Sequence, residues 1–342
     1  MRTITIDPIT RLEGHGKIRI ELDESGEVAR ALFQVPELRG FEAFAVGRPA
    51  VDMPQITSRI CGVCPMAHHM AATKALDALY DAPPTAAARA VRELLYNAFM
   101  AEDHALHFYF LGGPDFVVGP KAPKEQRNVL GVAAKVGEGV AREVIAMRGR
   151  LRAMVTELGG KIVHPVFGLP GGVSRPVPEE ARGWIRELGD DTVAFAERTL
   201  ALFHELVLGN SEYVDLITGD LYRHETYYMG LVDDDNRVNF YDGALRVVGP
   251  DGGEHLRFPA SEYAEHVGEH VEEWTYIKFP FLRQPGWAGF EDGPESGVYR
   301  VAPLARLNAS EGMATPRAQA EHDKMYETLN ARRERIFGNV EL

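Results

Sequence analysis

The chain has 342 residues, enough for two or three compact units with a buried core that needs no disulfide support. It is 45% apolar and 25% charged with a formal net charge of −13, a soluble globular composition whose acidic balance excludes nucleic acid and anionic membranes as general partners. Two cysteines exclude a stapled extracellular scaffold, and the lack of a signal-like N-terminus or a long apolar run leads us to expect a cytoplasmic protein without membrane insertion.

Ile4 and Ile6 alternate with polar residues, as do Ile18, Ile20 and Leu22, and Asp23-Glu24-Ser25-Gly26 is a turn into a third strand over residues 28–35. This predicts an antiparallel β meander, with Arg11-Leu12-Glu13-Gly14-His15-Gly16 as the loop between its first two strands. From Pro83-Pro84-Thr85 the apolar period becomes helical, and the first long helix should run to Gly112-Gly113-Pro114. Two more are expected, over residues 125–158 with a stop at Gly159-Gly160, and over 178–208 with a stop at Gly209. Short β-prone runs at Tyr227–Val232, 238–241 and 245–248 and an amphipathic helix over 261–274 make a small α/β appendage. A charged helix over 316–337 closes the chain.

The expected fold class is α+β, mainly α: a long-helix bundle with an N-terminal antiparallel β meander and a small α/β appendage. The expected segments are 1–82 (meander and cysteine motif), 83–212 (bundle), 213–300 (appendage) and 301–342 (loop and helix). Internal repeats, dinucleotide fingerprints and P-loop glycine patterns are absent from the sequence.

Both cysteines lie in Arg59-Ile60-Cys61-Gly62-Val63-Cys64-Pro65-Met66-Ala67-His68-His69. A C-x-x-C turn lets two sulfurs point at one atom, and thiolates suit soft metals such as nickel, iron and zinc. Three readings stand at this point. A zinc site needs two further ligands, for which His68 or His69 is available. A dithiol redox site belongs at a helix N-terminus in a β-α-β setting, which the sequence around the motif does not suggest. The third reading is half of a larger metal centre. His104 and His107 share a helical face but lack an acidic or cysteine partner at ligand spacing, so we read them as structural. His164 falls in an unassigned loop, and Arg306 either lines the site or pairs with a carboxylate.

Asp7-Pro8-Ile9-Thr10-Arg11-Leu12-Glu13-Gly14-His15 resembles the N-terminal signature of nickel–iron hydrogenase large subunits. Arg39-Gly40-Phe41-Glu42 is similar to their next motif and the Cys61/Cys64 segment to their first cysteine motif. His104-Ala105-Leu106-His107-Phe108-Tyr109, Pro114-Asp115-Phe116, Pro170-Gly171-Gly172 and Pro303-Leu304-Ala305-Arg306-Leu307-Asn308 resemble the cytoplasmic multi-subunit branch, whose electrons go to carriers such as NAD(P), F420 or a disulfide reductase. The resemblance implies that Cys61 is a terminal nickel ligand, that Cys64 bridges nickel and iron, and that the iron carries CO and CN ligands. It implies that His68 hydrogen-bonds the bridging sulfur, that Glu42 helps hold magnesium, and that Glu13, its pKa lifted by burial, accepts the proton from H₂.

The implied partners are an iron–sulfur small subunit, with a diaphorase or other electron-transfer subunit beyond it. The family's second pair, Asp-Pro-Cys-x-x-Cys-x-x-His, and its Ala-Pro-Arg-Gly segment do not occur in these residues, and the run Asn330-Ala331-Arg332-Arg333-Glu334-Arg335 has no counterpart in the family pattern. We therefore expect the N-terminal major part of a large subunit, inactive as a lone chain, with core surface exposed and a tendency to self-associate. The remainder would be a separate polypeptide, a lost function or the product of truncation. Cys61 and Cys64 should lie together, with Glu13 approaching the same cavity. The alternatives are a non-catalytic scaffold or assembly subunit that kept the fold, and a small zinc-binding module.

Overall fold

A computed structural model describes residues 2–221 and 223–329; the basic run from Asn330 and the end of the predicted final helix lie outside them. The chain divides into two compact units, residues 1–31 with 37–199, and residues 32–36 with 200–342.

In the first unit, β1 (Arg2–Ile6) pairs antiparallel with β2 (Lys17–Leu22) in register Ile4↔Ile20, and β3 (Val28–Gln34) completes the meander. Between this sheet and the bundle lie short helices that sequence periodicity did not reveal: α1 (Phe41–Ala45), α2 (Met53–Thr57) and a 3₁₀ turn, Ser58–Ile60, followed by α3 (Pro65–Leu79). Helix α4 (Ala86–Leu106) starts where the prolines place it, with the Thr85 hydroxyl accepting from the Ala88 N–H at 3.2 Å. It runs into a π turn, His107–Gly112, and then α5 (Gly113–Phe116).

The helix expected over 125–158 is two helices. Helix α6 (Val129–Val136) is capped by Asn128, and Gly137 at φ 90 separates it from α7 (Glu138–Gly159). A lone glycine in an apolar run reads as tolerated helix, yet here it adopts a backbone that breaks one. The Gly160 stop holds, in a left-handed conformation. After the small ribbon β4 (Gly168–Leu169)–β5 (Gly172–Val173) comes α8 (Glu179–Phe203), whose last turn, His204–Leu208, is a π turn. Helices α4 and α7 bury facing stripes, Leu95, Phe99 and Ala105 against residues such as Met147, Leu151 and Leu158. A buried Glu102 carboxylate joins them, accepting from Arg148 at 2.7 and 2.9 Å and from Arg152 at 3.2 Å.

The second unit begins with α9 (Ser211–Thr218) and a six-stranded sheet. It contains β6 (Tyr227–Val232), β7 (Arg237–Val238), β8 (Ala244–Val248) and β9 (Glu254–Pro259). The expected helix over 261–274 is instead one short turn, α10 (Tyr263–His266), followed by β10 (Val267–Val271), which pairs antiparallel with β11 (Lys278–Leu282). Pairing with the next strand overrides the local helical period. Two further strands, β12 (Tyr299–Arg300) and β13 (Gly312–Met313), pair parallel with β6 and β7. Tyr227, Met229, Val247, Phe258 and Leu282 form the core on one face, while Tyr228 and Val248 pack against Ala305 of α11 (Ala302–Asn308). Gly230 permits that approach, since a Cβ there would stand 3.1 Å from the Ala309 Cβ. Helix α12 (Pro316–Leu329) ends the described chain. Among the described residues no helix is long and apolar enough to cross a membrane.

Candidate metal centre

Cys61 leaves the 3₁₀ turn in an extended conformation and Cys64 is the residue before α3, so the C-x-x-C links two helical segments. The pair does stand at a helix N-terminus, the setting of a dithiol redox site, but helices flank it on both sides rather than the strands of a β-α-β unit. Cys61 is buried and Cys64 half-buried. The Cys64 N–H donates to the Cys61 sulfur at 3.1 Å, and the Cys61 thiol lies 3.4 Å from Glu13 Oε1. Burial, reinforced by the Cys61 thiol beside it, pushes the Cys64 thiol up to about 12. The Cys64 thiol therefore keeps its proton unless a cation replaces it, and two adjacent sulfurs are a donor pair that fits a soft metal ion.

Among the described residues no group of three or more His, Cys, Asp or Glu side chains gathers around a metal-sized point. Among the described residues the two thiols thus have no third or fourth side-chain ligand of the kind a structural zinc site needs. Behind the motif lies a cavity of about 40 Å³ lined by Gly62, Val63, Pro65, Met66 and Phe99. It has room for water or a diatomic gas.

Glu13 reaches the cysteines from a loop fixed at several points. Ile9 N–H donates to Gly16 O at 3.0 Å, and His15 bridges Asp7 and Glu37. Arg11, in the left-handed region at φ 58, donates to Leu111 O in the π turn at 2.8 Å and grips both oxygens of Asp115 at 2.7 and 2.9 Å. The π turn thus hands a carbonyl to the loop that carries Glu13, a use to which such turns are often put. The Glu13 side chain is exposed, contrary to the expectation that it is a buried carboxylate. Glu42 lies exposed in the first turn of α1. His68 is half-buried, and burial holds its pKa below the ordinary value; among the described residues its ring makes no hydrogen bond.

The sequence offered the neighbouring His69 as a zinc ligand, but the structure gives its ring a different use. Its ring is fully buried, with Nδ1 donating to Pro54 O at 3.2 Å and Nε2 accepting from the Phe167 and Gly168 N–H groups at 3.3 and 3.0 Å. The signal for its burial was present: Met66, His69, Met70, Thr73 and Leu76 form the buried stripe of α3, and His68 falls off it. His164 was unassigned; its Nδ1 donates to Ser58 O at 2.9 Å. Arg92, fully buried, binds Asp77 and the carbonyls of Leu169 and Gly172, and so ties down the Pro170-Gly171-Gly172 turn. His104 turns back onto Met100 O at 2.7 Å, in line with its structural reading. Arg306 lies over the Phe240 ring at 4.8 Å.

A nickel-dependent hydrogenase model matches residues 39–157 and a HoxL-like model residues 3–38. The chain is 44% identical to an F420-non-reducing hydrogenase iron–sulfur subunit of Archaeoglobus profundus, over 97% of its own length and 68% of the relative's. It belongs to the nickel-dependent hydrogenase family. Against a vhu subunit of the F420-non-reducing hydrogenase of Methanococcus voltae the identity is again 44%, over 96% of this chain and 75% of that one. The crystal structure of an NAD⁺-reducing [NiFe]-hydrogenase in its H₂-reduced state superposes with a TM-score of 0.89 at 32% identity, covering 99% of this chain and 72% of the other. The chain thus corresponds to the major part of a hydrogenase large subunit, with the mainly helical α+β fold, and its family, of oxidoreductases acting on H₂, implies a nickel–iron centre and a multi-subunit complex.

Proposed function

We propose that Cys61 and Cys64 would hold the nickel–iron centre through their thiolates, with CO and CN as further ligands of its iron, and that Glu13 would receive the proton released from H₂. The bound centre supplies the heterolytic splitting of H₂ and takes up its two electrons. The observation that carries the reading is the 3.4 Å separation of the Cys61 sulfur from Glu13 Oε1. A carboxylate at that range can take a proton directly from the sulfur side of the site. Because Glu13 is exposed, it can pass the proton on without a second buried carrier. His68 stands four residues after Cys64, on the helix that Cys64 precedes, where it can orient toward a bridging sulfur. Glu42 offers a hard oxygen suited to magnesium.

The electrons leave through an iron–sulfur small subunit, then through a diaphorase or similar subunit, in the cytoplasm. Leu38, Phe44, Val46, Val51 and Val63 are exposed in the stretch of chain that leads to and includes the cysteine motif, with Val46 at 82%, and we assign these apolar side chains to docking of the small subunit. The scaffold reading predicts the same docking with no metal requirement.

The test is the Glu13→Gln variant in the assembled enzyme. Nickel content should stay at the wild-type level while H₂/D₂O exchange falls by roughly 10²-fold or more, the usual scale for losing a positioned proton acceptor. Full exchange in the variant removes Glu13 from the route, and a wild-type assembly free of nickel supports the scaffold.

A further inference from the structure

The turn Ser58–Ile60 that delivers Cys61 has all three of its carbonyls captured by side chains from elsewhere in the chain. Ser58 O accepts from His164 Nδ1 at 2.9 Å, Arg59 O from Arg39 Nη2 at 3.0 Å, and Ile60 O from Arg39 Nη1 at 2.7 Å. The last carbonyls of a helical turn are otherwise left to water or fray. Both donors are themselves held in place. The Arg39 guanidinium lies over the Phe41 ring at 4.8 Å. His164 sits in a tightly packed loop: Pro165 presses on Gly159, where a Cβ would come within 2.6 Å of it, the Val166 N–H donates to Gly159 O, and the Phe167 and Gly168 N–H groups are anchored on His69. His164 itself has φ 53, a left-handed backbone that a non-glycine residue keeps only where surrounding structure demands it.

We propose that Arg39 and His164 are positioning residues that set the direction of the Cys61 sulfur, by locking the turn before it from two sides. The inference rests on the reading of Cys61 and Cys64 as metal thiolates. A fixed Ser58–Ile60 turn explains how one sulfur meets both the Cys64 N–H and the Glu13 carboxylate. Arg39 does this with a planar fork spanning adjacent carbonyls, which lysine cannot reproduce. His164 does it with one N–H aimed from a strained backbone.

The experiment uses the full chain and two probes: nickel(II) alone, followed by thiolate-to-nickel charge-transfer absorption, and a trivalent arsenical, which bridges two thiols without any metal. His164→Ala and Arg39→Lys should weaken nickel binding about 10-fold or more, the scale seen when groups supporting a ligand are removed. Arsenical bridging should slow in the same variants. His164→Gly relieves the backbone strain but lacks the donor, so it should behave like His164→Ala. His164→Asn tolerates the left-handed conformation and offers an N–H, so it should restore both readouts to within about 3-fold of wild type. If His164→Gly and His164→Ala lower Tm but leave nickel affinity and arsenical bridging at wild-type values, the positioning role is overturned. If Cys64→Ser leaves nickel binding unchanged, the metal reading fails instead, and the arsenical series still decides the positioning of the sulfurs.

Discussion

At the level of single residues, His69 shows how a buried imidazole becomes a pH liability. It serves as neutral ring, donor at one nitrogen and acceptor at the other, and burial holds its pKa below the ordinary value near 6.5. The unfolded chain takes up a proton near that value while the folded chain resists. The contribution of His69 is therefore complete above about pH 6.5 and is lost as the pH falls below it. His68, lowered by burial too, acts in the same direction, whereas His15, raised chiefly by its hydrogen bond to Asp7, stabilises on the acid side and loses its contribution as the pH rises. We expect the Tm of the wild type to drop more steeply from pH 7 to 5 than that of His69→Gln, with His68→Gln as companion; parallel curves would show that His69 does not titrate on unfolding. Which of two adjacent histidines was buried could be read from the α3 stripe, but what its nitrogens meet could not, because Phe167 and Gly168 lie about a hundred residues on.

Among the elements, the connection between α3, α4 and the β4–β5 turn depends on one ion pair. Arg92 donates to both oxygens of Asp77, to Gly172 O through Nε and Nη2, and to Leu169 O, while Asp77 Oδ1 also accepts from the Gly171 N–H. A buried pair this fully bonded has few unmet polar atoms, so removing one partner strands the rest. Arg92→Ala should cost about 3–5 kcal/mol in chemical denaturation, with Arg92→Ala/Asp77→Ala costing clearly less than the sum of the two single changes. Additive losses would mean the two side chains act independently. The starts and stops of the long helices were legible because prolines, Thr85 and Gly160 act locally. Gly137 and β10 were not, since one needs a backbone angle and the other a partner strand to be recognised. The same holds for the metal site. The C-x-x-C and the loop of Glu13 stood out as motifs, but the Arg39 and His164 contacts join segments that no local pattern relates.

For the whole molecule, the docking proposed for the exposed Phe44 and Val46 side chains can be tested directly. Phe44→Glu should reduce co-purification with the iron–sulfur small subunit by about 10-fold or more while leaving the Tm of the lone chain within about 2 °C, since an exposed side chain adds little to the fold. Undiminished co-purification would place the small subunit on another face. The division into units was beyond sequence periodicity, because residues 32–36 leave the meander to join a unit that otherwise begins at residue 200.

That brief excursion makes the molecule resistant to dissection. Within the second unit, Gln34 Nε2 donates to Trp274 O at 2.7 Å, the Val35 N–H to Thr275 Oγ1 at 2.8 Å, and the Tyr276 N–H to Val35 O at 3.1 Å. No single cut of the chain releases that unit with all its parts, and a fragment of residues 200–329 would lack the five residues, 240 positions before their partners Trp274 and Thr275, that complete it. A synthetic peptide of residues 28–37 is the missing piece, and supplied in trans it should slow hydrogen exchange at the Tyr276 amide.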